Sequence, residues 1–160
     1  MQKITTVLWF NDKAEEAMNF YTSIFKNASV QHSRRYGKGE PGSQGTFLTG
    51  SFVIDGQEFM VLNGNAQSSF SPATSLFIKC ETQQEVDELW ARLSEGGQEL
   101  QCGWVTDQFG VTWQVIPTVL EKLLWDKDAA KATRVMQAMM KMVKIDIAKL
   151  EQAAEEPATA

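Results

Sequence analysis

The strongest constraint on the fold is an order of elements that occurs twice along the 160 residues. In each half a β-branched or aromatic segment is followed by apolar residues at helical spacing, and then by further short strands. The two halves share this order and little residue identity. One helix covers one face of a sheet, so the pattern predicts an α+β fold. In this fold two paired β-α-β-β-β modules form a curved mixed sheet, with the helices outside and a cavity inside.

The first module is predicted to span residues 3–64. A strand at 3–10 precedes a helix whose apolar residues recur every three or four positions, and a second strand covers 28–36. Residues 37–45 hold four glycines and a proline, which indicates a loop. Two more strands follow, joined at Asp55-Gly56, a strong hairpin signal.

The second module is predicted at residues 74–117. A strand at 74–81 leads into a helix at 82–97, where Thr82 and Glu85 have the spacing of a capping box. One or two strands follow, and the last strand comes after a turn at Gln108-Phe109-Gly110. The segment CGWVTDQFGVTWQVIP is therefore the terminal hairpin of this module.

Residues 118–152 are predicted to be a helical extension of a single domain that covers 1–152, and residues 153–160 are predicted to be disordered. Four of the seven methionines lie between positions 136 and 142. Methionine suits adaptable packing, so this helix either packs on the core of its own chain or forms a dimer contact.

Composition excludes several classes of partner. The net charge is -5, and the sequence contains no basic patch of the kind that binds nucleic acid. No apolar run approaches the ~20 residues of a membrane span, and the first residues do not resemble a signal peptide. Cys80 and Cys102 fit a reducing compartment without disulfides, so a cytoplasmic protein is predicted.

Strand alternation suggests which side chains face the cavity. A mostly apolar lining with a few polar groups is typical of a small-molecule site. The predicted ligand-binding residues are Thr6, Leu8, Glu58, Met60, Ser75, Phe77, Trp104 and Gln114. Trp9 and Trp113 are assigned to the opposite, helix-facing side as core residues. Phe109 is placed with Trp104 at the mouth.

Two ionisable residues are candidates for chemistry. Glu58 is the candidate catalytic residue, because burial beside apolar neighbours would favour its protonated form and could tune a general base. The alternative is a solvated Glu58 near the hairpin turn. His32 is the only histidine, so one chain cannot form a multi-histidine metal site, and a solvated strand position is favoured for it.

Several segments carry a family resemblance that extends over nearly the whole chain: ITTVLWFNDKAEEAMNFYTSIF, IDGQEFMVLNG, CGWVTDQFGVTWQVIPTVL and VMQAMMKMVKIDIAKLE. They resemble the PhnB-like branch of the glyoxalase/bleomycin-resistance/dioxygenase (vicinal oxygen chelate) superfamily. That resemblance implies paired β-α-β-β-β modules, a small organic ligand and a homodimer. Many such proteins are named demethylubiquinone methyltransferases, but no glycine-rich loop joins a strand to a helix here, so no cofactor is predicted.

The resemblance also implies where a metal would be held, with one ligand from each of four strands. The four positions fall on Thr6, Glu58 (or Met60 if the register slips by two), Ser75 and Gln114. Only Glu58 is a good ligand for a divalent transition metal. The prediction is therefore a metal-independent binding protein. The alternatives are a metal-dependent lyase, isomerase or dioxygenase that uses Glu58, and a structural dimer without a ligand.

Overall fold

The computed structural model describes residues 1–65 and 67–156. The chain divides into two compact units, Met1–Ser69 and Phe70–Ala160. Each unit contains a four-stranded mixed sheet with a helix on its outer face, and the strands and helix occur in the order β-α-β-β-β. The predicted α+β class and the predicted repeat are confirmed.

The first unit has strand order β1-β4-β3-β2, in which β1 pairs parallel to β4 and the other pairs are antiparallel. Its elements are β1 (Thr6–Phe10), α1 (Ala14–Ile24), β2 (Ala28–Arg35), β3 (Phe47–Ile54) and β4 (Gln57–Asn63). The β3–β4 turn places Asp55 at φ 47° and Gly56 at φ 83°. Two consecutive positive φ angles are the signature of the primed hairpin turn that an Asp-Gly pair predicts.

Helix α1 covers one face of the first sheet. Its buried residues are Ala14, Ala17, Met18 and Tyr21, which are four of the five positions at the predicted helical spacing. The Tyr21 ring lies 6.0 Å from the Phe52 ring, which stacks 5.3 Å from Phe59. These contacts identify the face of β3 and β4 that packs against the helix.

The second unit has strand order β5-β8-β7-β6, with β5 parallel to β8. Its module consists of β5 (Ser75–Cys80), α2 (Gln83–Ser94), β6 (Gln98–Glu99), β7 (Trp104–Thr106) and β8 (Thr112–Pro117). The predicted cap of α2 is present, because the Glu85 amide donates to Thr82 Oγ1 at 3.2 Å. The Glu85 carboxylate accepts from the Glu81 amide, one residue before the position a standard capping box uses.

The C-terminal extension consists of three helices: α3 (Thr118–Leu124), α4 (Ala129–Met139) and α5 (Ile147–Glu155). The predicted extension is therefore helical, but the apolar spacing that runs from Val135 to Leu150 is interrupted between α4 and α5. Residues 140–146 leave the helix because Met142 O and Val143 O accept hydrogen bonds from the amides of Cys102 and Gly103, at 2.9 and 2.7 Å. Asp146 then caps α5 through the Lys149 amide.

The extension has a core of its own. Its buried residues are Ile116, Leu120, Val135, Ile145, Leu150 and Ala154. Gln83 ties it to α2, because the Gln83 side chain donates to Ile145 O at 3.0 Å and accepts from the Ile147 amide at 2.8 Å. Helix α5 continues to Glu155, so residues 153–155 of the predicted disordered tail are helical, while 157–160 lie outside the described residues. None of the helices described could cross a membrane.

Candidate functional site

The second sheet carries four predicted site residues on one face. Its other face holds Trp113, Val115 and Cys80, which are buried. We call the opposite face, which carries Ser75, Phe77, Trp104 and Gln114, the open face of the second sheet. The strand register places Phe77 beside Gln114 and Gln114 beside Trp104, so the three form one row across β5, β8 and β7. The structure thus brings together half of the predicted ligand-binding residues.

The row combines aromatic surface with a polar centre. Phe77 is 46% exposed, and Trp104 and Gln114 are half-buried. Gln114 Nε2 donates to Ser75 Oγ at 2.9 Å, which holds the amide beside the hydroxyl. An accessible ring next to a fixed amide–hydroxyl pair can take up a small molecule that is apolar over most of its surface.

The neighbouring rows limit how far this surface extends. On one side Thr106 and Thr112 share a hydrogen bond of 3.2 Å, and Thr112 is buried. On the other side Ile116 is buried in the core of the extension. The accessible part of the open face is therefore centred on the row with Gln114.

The first sheet does not follow the predicted assignment of faces. The register pairs Thr6 with Phe59 and Leu8 with Val61, so Thr6 and Leu8 lie on the face that α1 covers. Leu8 is 6% exposed, whereas its neighbour Trp9 is 44% exposed and donates from Nε1 to Gly64 O at 2.7 Å. The expectations that Leu8 lines a cavity and that Trp9 is core are wrong.

Glu58 and Met60 lie on the uncovered face of the first sheet, with Val7 beside Met60. The Glu58 backbone is held by Gln2, whose side chain bonds both its amide and its carbonyl. In the described part of the chain, no hydrogen bond or ion pair engages the Glu58 carboxylate. A role for Glu58 as a catalytic base stays a prediction. His32 lies on exposed strand β2, as the solvated alternative predicts.

A cavity of about 650 Å³ in the first unit is absent from the sequence predictions. The start of α1, the β2–β3 loop and the end of β4 surround it, and its lining includes Glu15, Arg35, Tyr36 and Asn63. Arg35 binds Glu15 at 2.5 Å and lies 6.0 Å from the centre of the Phe47 ring. The sequence signals of this cavity are the glycine-rich loop at 37–45 and the acidic start of α1, and neither of them alone indicates that the two meet.

The segment from Cys102 to Pro117 is organised by a buried carboxylate. Asp107 Oδ1 accepts from the amides of Phe109 and Val111 at 2.8 and 3.1 Å, and Oδ2 accepts from Trp113 Nε1 at 2.8 Å. Gly110 has φ 90°, a conformation that favours glycine. The Asp, Gly and Trp of this segment thus stabilise the hairpin that presents Trp104 and Gln114.

The environment of Cys80 does not favour a reactive thiol. Burial, with a smaller contribution from Glu85, raises the pKa of the Cys80 thiol to about 12. A thiol with such a pKa carries almost no thiolate at neutral pH and is therefore unreactive. Cys102 is half-buried at φ 61°, and both cysteines are free.

Comparison with known proteins assigns the family. Residues 2–116 match the profile of the family described as 3-demethylubiquinone-9 3-methyltransferase. The chain belongs to this family. It is a PhnB-like member of the glyoxalase/bleomycin-resistance/dioxygenase superfamily, as the sequence resemblance implies. Among curated proteins, none matches the chain.

Solved structures agree with this family. A putative 3-demethylubiquinone-9 3-methyltransferase, a PhnB protein from Bacillus cereus, is 42% identical and has a TM-score of 0.67. The match covers 71% of this chain and 97% of that one. The family profile ends at residue 116, so the helical extension lies outside it, although the sequence resemblance was extended to residues of that region.

More distant structures show the fold alone. Protein PA1353 from Pseudomonas aeruginosa is 20% identical, with a TM-score of 0.62 and coverage of 71% of this chain and 95% of that one. The fosfomycin resistance protein FosX from Listeria monocytogenes, in complex with Mn(II) and sulfate ion, is 19% identical with a TM-score of 0.51. The FosX match covers 71% of this chain and 90% of that one.

The PhnB-like chain does not fit the metal site that the superfamily implies. Of the four positions, Thr6 lies on the helix-covered face, and Ser75 and Gln114 bind each other through neutral groups. Residues 1–65 and 67–156 contain no group of three His, Cys, Asp or Glu side chains arranged to hold a metal ion. A single carboxylate, Glu58, is too few ligands for a divalent transition metal.

The family's description as a methyltransferase implies a methyl donor. The chain lacks the glycine-rich strand-to-helix loop that would hold a donor of the nucleotide type. The β1–α1 connection is Asn11-Asp12-Lys13, and Glu81-Thr82 joins β5 to α2. Neither connection contains glycine, so no flexible backbone there can wrap a phosphate or nucleoside.

Proposed function

We propose that this PhnB-like protein binds a small organic molecule on the open face of the second sheet without the help of a metal ion. The observation that supports this most directly is the Ser75–Gln114 pair, set between Phe77 and Trp104. Two aromatic side chains beside an ordered amide–hydroxyl pair combine apolar area with a few fixed polar groups, which is the usual make-up of a small-molecule site.

Each residue has a defined part in this proposal. Phe77 and Trp104 supply apolar contact area, and Ser75 and Gln114 fix the orientation of the ligand by hydrogen bonds. Glu58 and Met60, on the uncovered face of the first sheet, belong to the other unit, and we assign them no contact with this ligand. Thr6 and Leu8 are left out because α1 covers the face on which they lie.

The test is a screen of small aromatic fragments that follows the amide resonances of the ¹⁵N-labelled protein. We expect binders to shift the resonances of Phe77, Trp104 and Gln114. Replacing Gln114 with alanine should weaken those binders, and Gln98→Ala on the edge strand β6 should leave them unchanged. Binders that shift only resonances outside the open face would contradict the proposed site.

The metal-dependent alternative is a lyase, isomerase or dioxygenase of the vicinal oxygen chelate type. It requires ligands that Thr6, Ser75 and Gln114 do not provide, so we do not favour it. Elemental analysis of protein purified without chelator distinguishes the two. We expect less than stoichiometric zinc, nickel, manganese or iron; one tightly held ion per chain would support the alternative.

We also propose a cytoplasmic homodimer that has no nucleic acid or membrane partner. Trp125, Met136 and Met140 are exposed on the extension and offer apolar surface to a second copy. Light scattering on a size-exclusion column should give about twice the 17.9 kDa of one chain. A mass equal to one chain at micromolar concentration would contradict the dimer.

A further inference from the structure

We infer that the ligand is a flat, neutral molecule in which one carbon atom separates a hydrogen-bond donor from an acceptor, as in the N–C=O group of a lactam or a primary amide. This inference rests on the proposed function, because it concerns the same open face. A molecule of this class would be recognised by four residues together: Ser75, Phe77, Trp104 and Gln114.

The hydrogen-bonding capacity of the Ser75–Gln114 pair sets the donor and the acceptor. An amide side chain offers one acceptor and two donor hydrogens, and a hydroxyl offers one donor and acceptor lone pairs. The bond from Gln114 Nε2 to Ser75 Oγ leaves Gln114 Oε1 free to accept and the Ser75 hydroxyl free to donate. Among the described residues, no other side-chain hydrogen bond uses these two groups.

The conclusion does not depend on which amide atom faces Ser75. If the amide is turned over, the Ser75 hydroxyl donates to Oε1, which leaves Nε2 as a donor and Ser75 Oγ as an acceptor. In both arrangements the pair presents one donor and one acceptor next to each other. A ligand that carries the complementary donor and acceptor in one N–C=O group satisfies both at once.

The two rings set the shape of the ligand. Phe77 and Trp104 each pair with Gln114 on neighbouring strands, so they stand two strand spacings apart, about 10 Å between Cα atoms. One flat molecule with a van der Waals contact on both faces needs about 7 Å. A flat molecule that stands on its edge over Gln114 contacts both rings and the amide when the two side chains lean toward it by about 3 Å in total.

The distribution of charge over the described part of the open face favours a neutral ligand. The four residues are uncharged, and the nearest basic residue on the same face, Lys79, pairs with Glu121 at 3.7 Å. An ionised carboxylate would lose hydration against the rings without gaining a counter-ion. A neutral lactam or amide makes the same two hydrogen bonds without that cost.

The test uses three flat bicyclic probes of nearly equal size: 2-quinolinone, N-methyl-2-quinolinone and quinoline. Only 2-quinolinone has the adjacent N–H and C=O. Dissociation constants come from titrations that follow the ¹⁵N resonances of the open face, with Ser75→Ala and Gln114→Ala as variants. Ser94→Ala and Gln98→Ala are the matched controls, and thermal unfolding verifies that every variant is folded.

We expect 2-quinolinone to bind roughly 3- to 10-fold more tightly than either other probe, which is the value of one net hydrogen bond. Ser75→Ala and Gln114→Ala should reduce that preference to less than about twofold, whereas the controls should keep it.

Equal affinities of all three probes in the wild-type protein would overturn this inference and leave the proposed binding function standing. If no probe shifts the open-face resonances at millimolar concentration, while other fragments bind there, the inference fails alone. If nothing binds there, both fail.

Discussion

The indole N–H of Trp113 donates to Oδ2 of Asp107 at 2.8 Å, inside a hairpin where Asp107 is only 3% exposed. The same carboxylate accepts from two backbone amides of the turn. This contact joins the turn to strand β8 and fixes the hairpin strands that carry Trp104 and Gln114. A sequence feature that suggests an active site is thus a structural support for the neighbouring face.

Replacing Asp107 with alanine removes the acceptor for three buried or half-buried donors. We expect a loss of about 3 kcal/mol in the free energy of unfolding, since each unsatisfied buried donor costs about 1–3 kcal/mol. Chemical denaturation followed by tryptophan fluorescence and circular dichroism measures it. Asp12→Ala, at an exposed carboxylate, should change stability by less than about 0.5 kcal/mol. Similar losses in the two variants would refute the role of Asp107.

The face assignment of β1 is tested by two adjacent residues. Leu8 packs under α1, so Leu8→Ala should destabilise the protein by about 3 kcal/mol. Val7 is 52% exposed, so Val7→Thr, which keeps the side-chain shape, should change stability by less than about 1 kcal/mol. Equilibrium unfolding in urea compares them. If Val7→Thr were the more damaging change, β1 would have the opposite face toward the helix.

Gln83 is predicted to hold the break between α4 and α5. Its side chain makes two hydrogen bonds to backbone groups of Ile145 and Ile147, so Gln83→Ala should cost about 1–2 kcal/mol. Hydrogen exchange should also become faster at the Cys102 and Gly103 amides, which donate to the same segment. Gln84→Ala serves as the control because Gln84 bonds only to exposed Glu88. Unchanged exchange in Gln83→Ala would contradict this role.

The Asp87–Lys144 pair predicts a pH-dependent attachment of the extension. Lys144, at 2.8 Å, and then Gln83 lower the pKa of the Asp87 carboxyl. Because the folded pKa lies below the unfolded value of about 3.9, the stabilisation is complete above that value and disappears as the pH falls through the folded pKa. The pair is about half exposed, so Asp87→Asn should cost only about 0.5 kcal/mol at pH 7 in low salt. That difference should shrink as the pH falls below the unfolded value of about 3.9. A difference that grows with acidity would exclude the pair as its cause.

The sequence predicts which strand face is buried correctly in the second sheet but not in β1 of the first. The difference is whether polar and apolar residues alternate along the strand. In β8, polar Thr112 and Gln114 alternate with apolar Trp113 and Val115, so alternation identifies the buried face. In β1, Val7 and Trp9 are as apolar as Leu8 and Phe10, so alternation does not show which of the two faces is buried. Packing of α1 decides the face of β1, and a single strand's sequence does not contain that contact.

The periodicity of the sequence also does not predict the break between α4 and α5. The helical spacing continues through residues 140–146, and only the pairing of Met142 and Val143 with a distant turn ends the helix there. The cavity beside Arg35 depends in the same way on the meeting of a loop, a helix start and a strand end. Long-range contacts of this kind override local propensity.

The central claim is that this chain binds an organic ligand through neutral groups and not through a metal ion. The most direct measurement is a titration with the tightest fragment from the open-face screen, before and after exhaustive EDTA treatment and after Mn(II) is added back. We predict one dissociation constant, within about twofold, in all three states, and the same shifted resonances at Phe77, Trp104 and Gln114. Binding that EDTA abolishes and Mn(II) restores would contradict the account.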